Sequence, residues 1–278
     1  MKLTRLIAVA IFSLILNLNF SQELPKASPL GKVEQLVGLT NISIEYSRPS
    51  VKGRKIFGQL LPFDEVWRLG ANKSTIITTD QTLKFGDQIL PAGSYAMFAT
   101  PMKEKWEIAF NSNTEQWGTG EYDKSLNVVT LVVETIDCEH VETLTMAIGD
   151  LTFDSGSIFI SWEKIRVEIP FKVNTKKQAK KNIEEAIAKG ENLDLVYYNA
   201  SRYFFDLNNN EDALNYIDLS IKSKKTFKNL YHKAKILAAT GQKKEAIKLG
   251  DEAIGMAQAE KEDGWISYMM KSIEEWKK

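Results

Sequence analysis

Along this chain the spacing of the apolar residues changes once, near residue 173. Before that point apolar and polar side chains alternate, which is typical of β-strands with one face in a core and the other in water. Beyond it, apolar side chains recur about every 3.6 residues, which is typical of amphipathic helices. Because no helical pattern interrupts the strands, the sequence predicts an α+β protein. Residues 22–173 are predicted to form an antiparallel β-sandwich or flattened barrel, and residues 174–278 an all-α domain of helical hairpins.

The alternation is clearest in three segments, Ile42–Tyr46, Leu144–Ile148 and Ile165–Phe171, which we predict to be strands. Residues 128–133 are more uniformly apolar and predict a central strand covered on both faces. Gly86-Asp87 lies between two short apolar runs and predicts a two-residue hairpin turn.

The N-terminus has the pattern of a secretory signal peptide. Lys2 and Arg5 form a short basic region, residues 6–18 are almost wholly apolar, and Ser21 is a small residue before a polar start. We predict a signal peptide over residues 1–21 and an exported protein, periplasmic or extracellular. A membrane anchor or a buried core helix is the alternative reading. No later segment approaches the roughly 18 apolar residues that a bilayer span requires.

Composition excludes several classes of protein. The 36 basic and 36 acidic residues cancel, whereas a nucleic-acid-binding protein normally has a basic excess. The single cysteine, Cys138, allows no intrachain disulfide, and we expect it to be a small apolar residue at a strand end. The two histidines lack metal-ligand spacing, and no nucleophile elbow or phosphate-binding loop occurs. We therefore predict no metal, no cofactor and no catalytic residue by motif.

The helical part contains an internal repeat of 33 residues. Glu211-Asp212-Ala213-Leu214 recurs as Lys244-Glu245-Ala246-Ile247. The period resembles tetratricopeptide repeats over about residues 194–258, although the expected helix-packing glycine and terminal proline are absent. Two readings remain open for this part: a self-contained helical cap, or a groove for a protein partner.

The long segment between Tyr46 and Thr75 is rich in arginine and aromatic residues, which makes it either a plug that completes a core or the lip of a binding site. Arginine suits bidentate contacts to a carboxylate, a phosphate or an acidic sugar. On this basis, together with an exposed tryptophan expected in a nearby turn, the candidate ligand-binding residues are Arg48, Arg54, Trp67, Arg68, Asn72 and Trp117. The structural alternative pairs the arginines with Asp64, Glu65 or Glu163. Trp106 and Trp162 follow the inward alternation and are predicted to lie in the core.

Three motifs carry a resemblance to a known family. SPLGKVEQLVG is followed by YSRPSVKGRKIFGQLLPFDEVWRLGAN and then by LPAGSYAMFATP. These segments resemble the family called domain of unknown function 2911, over about residues 28–171. The resemblance implies an exported β-rich domain, sometimes joined to a helical-repeat tail, and it implies no established activity.

Two functions from different classes remain. The first is a non-catalytic binding or scaffold protein of the periplasm or cell envelope, with an anion or glycan site in the loop of residues 48–72 and a protein-interaction helical tail. The second is a hydrolase acting on a glycan or anionic envelope metabolite. A glycosidase would need two carboxylates about 5–10 Å apart, for which Asp64, Glu65 and Glu163 are the candidates.

Overall fold

The structure, a computed structural model, describes residues 24–278. The predicted signal peptide lies outside these residues. The described chain divides into two compact units, one ending at Thr175 and one beginning at Lys176. The first is antiparallel β and the second is helical, so the predicted α+β class is confirmed. No helix among residues 24–278 is long and apolar enough to cross a membrane.

The β unit has nine strands. They are β1 (Leu30–Val37), β2 (Thr40–Ser47), β3 (Thr75–Thr79), β4 (Leu83–Phe85), β5 (Gln88–Leu90), β6 (Gly93–Pro101), β7 (Lys105–Asn111), β8 (Asn127–Gly149) and β9 (Ser155–Lys172). β4 pairs with β5 in the register Phe85 to Gln88, which confirms the predicted turn at Gly86-Asp87. Gly86 has a φ of +56°, a conformation in which glycine carries no steric penalty.

All nine strands join one sheet in the order β1-β2-β3-β6-β7-β8-β9-β4-β5. The long strand β8 pairs with β7 through residues 127–134 and with β9 through residues 135–149. Its register with β9 is irregular around residues 137–145, where β8 also pairs with residues 49–51. Because residues 49–51 directly continue β2, this pairing joins β2, β3, β6, β7 and β8 into a ring. The ring corresponds to the flattened-barrel form of the prediction.

One core lies inside the folded sheet. Phe85 of β4 stacks on Phe110 of β7 with ring centroids 4.9 Å apart, so strands distant in the sheet order face each other across the interior. Trp106 and Trp162 are 0% and 1% exposed, which confirms that they belong to the core. Each such large side chain contributes roughly 1.5–3 kcal/mol through burial.

The start of β8 departs from its prediction. Val128 and Val132 are 41% and 62% exposed, so the expectation that both faces of this strand are covered is wrong. Val129 is buried, and Leu131 and Val133 pack against the core. The strand therefore keeps the ordinary two-residue alternation, with β-branched side chains on its open face as well.

The second unit contains six helices among the described residues. They are α1 (Thr175–Lys189), α2 (Leu193–Asp206), α3 (Asn210–Ser223), α4 (Phe227–Ala239), α5 (Lys243–Ala259) and α6 (Asp263–Lys277). Residues 208–209 lie between α2 and α3, and residues 240–241 lie between α4 and α5. Thr226 and Asn229 form a capping box that begins α4, with each side chain accepting the other's backbone N–H.

Hydrogen bonds at both ends of the α2–α3 pair show that the two helices are antiparallel. The Ser201 hydroxyl donates to the Ala213 carbonyl at 2.7 Å, and the Ser220 hydroxyl donates to the Asp194 carbonyl at 2.7 Å. The helices α4 and α5 follow with the 33-residue offset seen in the sequence. Ala213 and its counterpart Ala246 are both fully buried. The six helices are consistent with the predicted helical-repeat tail.

Candidate functional site

The loop after β2 begins as part of the barrel. Arg48 donates a hydrogen bond from Nε to the Leu144 carbonyl and another from Nη2 to Thr145 Oγ1, each at 3.0 Å. Its guanidinium also lies 5.8 Å from the centroid of the Tyr46 ring. These contacts attach Arg48 to β8 beside the residues that close the ring of strands. Arg48 therefore stabilises the closure of the barrel.

Farther along, the loop is anchored in the core by Trp67. Its backbone exchanges two hydrogen bonds with Ala99 of β6, at 2.7 and 2.8 Å. Its indole N–H donates to the Gly70 carbonyl at 2.9 Å, so this buried donor is satisfied. The indole lies 6.0 Å from Trp106 and 5.7 Å from Trp162. This part of the loop acts as the plug that the sequence left as one alternative.

A cavity of about 390 Å³ lies beside this anchored segment. Its volume is within the range of roughly 300–1,000 Å³ that is usual for small-molecule sites. The lining combines apolar, small and basic side chains: Ala27, Ser28, Pro49, Ser50, Lys52, Arg54, Leu60, Leu61, Trp67, Arg68, Gly70, Ala71 and Trp162. No carboxylate belongs to this lining within residues 24–278. We call this space the Arg68 cavity.

Arg68 is the least satisfied polar group of the cavity. Its side chain is half-buried, and its Nε is buried with no hydrogen-bond partner in the described chain. Burial lowers the pKa of its guanidinium from the usual value. A guanidinium stays protonated in proteins, and burying a charge without a partner costs free energy. An acceptor that enters the cavity would remove part of this cost.

The two other basic side chains of the cavity lie at its exposed rim. Arg54 donates from Nε to the Val51 carbonyl at 3.0 Å and from Nη2 to the Ser50 carbonyl at 2.6 Å. The backbone N–H of Lys52 donates to Glu142 Oε1 at 2.9 Å. This bond is the main reason that the pKa of Glu142 is lowered, and the charge of Arg54 lowers it further. Glu142 thus offsets charge at the rim, whereas Arg68 has no such neighbour.

Three of the sequence candidates lie outside the cavity lining, namely Arg48, described above, Asn72 and Trp117. Asn72 donates from Nδ2 to the Ser28 carbonyl at 3.3 Å and to Ser47 Oγ at 3.2 Å, so it holds the end of the loop in place. Trp117 is 70% exposed, and its backbone bridges to that of Lys73. The six candidates therefore separate. Arg54, Trp67 and Arg68 line one cavity, while Arg48, Asn72 and Trp117 do not.

The predicted ion pairs within the loop do not form. In residues 24–278, none of the three arginines makes a salt bridge. Asp64 and Glu65 are exposed, and Glu163 Oε2 accepts a hydrogen bond from the Ile56 N–H at 3.2 Å. The pairing hypothesis is wrong because Arg48 and Arg54 bond to carbonyl and hydroxyl oxygens, while Arg68 bonds to none.

Among the lining residues that were not sequence candidates are Lys52 and Trp162. Lys52 belongs to the basic run of residues 52–55, in which the sequence analysis names only Arg54 as a candidate. Trp162 was assigned to the core alone, and its fully buried indole also forms part of the cavity wall. In the sequence Trp162 follows the same alternation as any core residue. The alternation therefore could not reveal that Trp162 also lines a cavity.

The remaining reactive side chains do not assemble into a site. No group of three or more His, Cys, Asp or Glu side chains in the described part of the chain could hold a metal ion. His140 Nε2 lies 3.2 Å from Glu142 Oε2 on the surface. Cys138 is half-buried within β8, away from a strand end, so that expectation is wrong, and burial raises the pKa of its thiol.

Residues 28–171 match one protein family, described as protein of unknown function (DUF2911). The match covers just over half of the 278 residues. The chain belongs to this family. The DUF2911 region contains every lining residue of the Arg68 cavity except Ala27, and the helices α1 to α6 lie beyond it. Comparisons with curated proteins and with solved structures gave no match.

Proposed function

We propose that this protein is an exported, non-catalytic binding module of the periplasm or cell envelope, which binds a small anion in the Arg68 cavity. The observation that carries this proposal is the half-buried guanidinium of Arg68. Its Nε has no hydrogen-bond partner in residues 24–278, and it lines a cavity without a carboxylate. Buried polar groups are nearly always hydrogen-bonded, so an unpaired donor in a cavity favours a ligand that brings an acceptor.

The composition of the cavity supports binding over hydrolysis. Lys52, Arg54 and Arg68 line it, and they attract an anion. The three carboxylates that a hydrolase would have used, Asp64, Glu65 and Glu163, are not part of the lining. Hydrolysis of a glycan requires an acid and a base or nucleophile beside the substrate. The geometry therefore favours capture of a ligand without a reaction.

The proposal can be tested by isothermal titration calorimetry of the purified protein with acetate, benzoate and inorganic phosphate. Wild type is compared with Arg68→Met, which keeps the apolar stem and removes the guanidinium. Lys55→Met is the matched control, because Lys55 lies on the same loop, is exposed and does not line the cavity. We expect at least one anion to bind wild type and Lys55→Met equally, and to bind Arg68→Met at least about tenfold more weakly.

Binding that is unchanged in Arg68→Met would overturn this site, as would the absence of heat with every anion. Loss of binding in Lys55→Met as well would show that net charge, and not the cavity, causes the attraction. Thermal unfolding of both variants, recorded beside the titrations, shows whether each variant is folded.

Export is proposed from the N-terminal pattern of residues 1–21. A fusion of the full chain to a C-terminal tag, expressed in a bacterium with an outer membrane, would be fractionated and its mature N-terminus sequenced. We expect a protein that begins near Gln22 in the periplasmic or extracellular fraction. An uncleaved N-terminus in the cytoplasmic fraction would contradict export.

We also propose that the helical unit binds a basic segment of a protein partner. A groove of about 210 Å³ lies between its helices, with the apolar side chains Leu195, Tyr198 and Phe227 in its lining. The same lining includes acidic residues, namely Asp194, Glu260 and Glu262, against one lysine, Lys228. Apolar anchors beside an excess of acid suit a peptide that alternates apolar and basic side chains.

A short peptide of alternating lysine and leucine tests this groove by fluorescence anisotropy, with a glutamate and leucine peptide as the control. The double variant Glu260→Lys, Glu262→Lys should weaken the lysine peptide at least about tenfold at low salt. Equal binding of both peptides, or no effect of the charge reversal, would contradict the proposal.

A further inference from the structure

The walls of the Arg68 cavity are largely apolar. Trp67 and Trp162 stack with ring centroids 5.7 Å apart and planes inclined by 24°, and both line the cavity. Leu60, Leu61 and Pro49 add aliphatic surface, and Leu60 remains 43% exposed. A small inorganic ion would leave this surface in contact with water. The walls instead suit a ligand with an apolar body.

The buried polar atoms of the cavity residues that lack a partner in the described chain are both donors. Besides Arg68 Nε, the indole Nε1 of Trp162 is buried and has no partner in the described residues. The lining contains no carboxylate or amide side chain. Among its side chains, only the hydroxyls of Ser28 and Ser50 could accept a hydrogen bond, and that of Ser50 already pairs with Thr143 Oγ1 at 3.0 Å. A sugar presents many hydroxyls, each of which donates as well as accepts. The cavity therefore offers few side-chain acceptors to a glycan, and it favours a ligand that only accepts.

One guanidinium has its hydrogen-bonding capacity free. Arg54 already uses Nε and Nη2 for backbone carbonyls, and Glu142 lies close enough for its pKa to respond to the charge of Arg54. The side chain of Arg68 has no hydrogen-bond partner at its buried Nε and no acidic partner within residues 24–278. A single free planar guanidinium matches a single carboxylate, which it can bind through two parallel hydrogen bonds.

We propose that the ligand of the Arg68 cavity is a small organic acid with one carboxylate and an apolar, preferably aromatic, body. The carboxylate pairs with the guanidinium of Arg68, and the body lies against the wall formed by Trp67, Trp162 and Leu60. This inference rests on the proposed anion site and specifies its ligand class. Of the three ligand types that the sequence suggests, namely a carboxylate, a phosphate and an acidic sugar, it selects the carboxylate.

Four probes separate the features of this ligand: phenylacetate, phenylacetamide, inorganic phosphate and glucuronate. Phenylacetamide has the same body without the charge, phosphate has charge without a body, and glucuronate has the carboxylate on a hydroxylated ring. We expect phenylacetate to bind at least about tenfold more tightly than each of the others in calorimetric titrations. Quenching of tryptophan fluorescence by phenylacetate gives a second readout of the same binding.

Two variants test the contacts separately. Arg68→Lys keeps the charge and loses the planar fork, and it should weaken phenylacetate about tenfold. Leu60→Ala shortens an exposed wall residue, so it should weaken phenylacetate several-fold and weaken acetate, which lacks the ring, by a smaller factor. Because Leu60 is exposed at the rim, its replacement by alanine should leave the packing of the core unchanged.

Each outcome has a definite meaning. If phosphate or glucuronate binds as tightly as phenylacetate, and Arg68→Met abolishes that binding, the carboxylic-acid inference fails and the anion site stands. If phenylacetamide binds as well as phenylacetate, the cavity recognises the apolar body alone and the role of Arg68 is overturned. If no probe binds in a manner sensitive to Arg68, both the inference and the proposed function fail.

Discussion

The indole of Trp67 stacks on the indole of Trp162, with ring centroids 5.7 Å apart and an interplanar angle of 24°. Trp67 comes from the loop after β2, and Trp162 comes from β9. The contact therefore joins the loop to a distant strand, and it fixes the backbone immediately before Arg68. A residue adjacent to such an anchor is held in position even when its own side chain has no partner.

We predict that Arg68→Met changes the melting temperature by less than about 2 °C. Breaking a buried ion pair would cost roughly 3–5 kcal/mol, but Arg68 has no ion-pair partner among the described residues. Removal of a half-buried unpaired charge is neutral or slightly stabilising. Differential scanning calorimetry of variant and wild type checks this value. A fall of about 6–20 °C would reveal a structural partner and would direct the search for function to the helices.

Arg48→Met should have the opposite effect on stability. This substitution removes two hydrogen bonds to β8, at Leu144 and Thr145, where residues 49–51 close the barrel. Hydrogen bonds to charged groups contribute about 1.5–3 kcal/mol each. Because Arg48 is only half-buried and water replaces part of what is lost, we expect a smaller loss of about 1–3 kcal/mol in the free energy of unfolding. Urea denaturation measures it. The affinity for phenylacetate should stay within about twofold of wild type, since Arg48 does not line the cavity. Equal stability of Arg48→Met and wild type would contradict its role in closure.

The helical unit should lose stability as the pH falls from about 6.5 to about 4 because of His232. Its side chain is 5% exposed, and its ring lies 5.5 Å from Tyr198 and 5.7 Å from Phe205. Burial is the main cause that lowers the pKa of His232 to about 4, and the charges of Lys235 and Arg202 lower it further. The charge of Asp206 acts in the opposite direction. In this window the unfolded chain binds the proton and the folded chain does not, so acid favours unfolding.

Between pH 7 and pH 4.5 this linkage amounts to about 2–3 kcal/mol. His232→Phe retains an aromatic ring and removes the titrating group. Between pH 7 and pH 4.5 the unfolding free energy of this variant should therefore fall by about 2–3 kcal/mol less than that of wild type. Urea denaturation at both pH values, followed by far-UV circular dichroism at a helical wavelength, makes the comparison. The carboxylates are the same in both proteins, so their contribution to the pH dependence of stability cancels in the comparison. Identical pH profiles for variant and wild type would show that His232 is not the cause.

Gly250 and Gly255 on α5 form a matched pair for testing helix packing. A Cβ atom at Gly250 would lie 2.7 Å from Ile273 Cδ1 of α6, whereas a Cβ at Gly255 would meet nothing within 4 Å. We predict that Gly250→Val costs about 1–3 kcal/mol through overpacking. Gly255→Val should change stability by less than about 0.5 kcal/mol, because it alters only helix propensity. Thermal unfolding of the two variants checks the difference, and equal effects would mean that α6 does not pack closely on α5.

The order of structural classes could be read from the sequence because it depends on local periodicity. Strands display side chains with a period of two and helices with a period of 3.6, whatever the partner. The alternation at Ile42–Tyr46, the turn at Gly86-Asp87 and the 33-residue helical repeat all follow from neighbours in the chain. The burial of Trp106 follows from the same rule. Residues 28–171 could also be assigned to their family because its motifs are continuous in sequence.

The candidate site depends on contacts that the sequence does not encode locally. Arg48 reaches β8 across 96 residues, and Trp67 meets Trp162 from another strand. Which arginine would lack a partner could not be predicted, because all three share a loop and a residue type. The amino-acid sequence determined the α+β order, the family and the loop that carries the site. Only the tertiary structure decided that Arg48 closes the barrel while Arg68 faces a cavity, since hydrogen-bond partners are chosen by proximity in space.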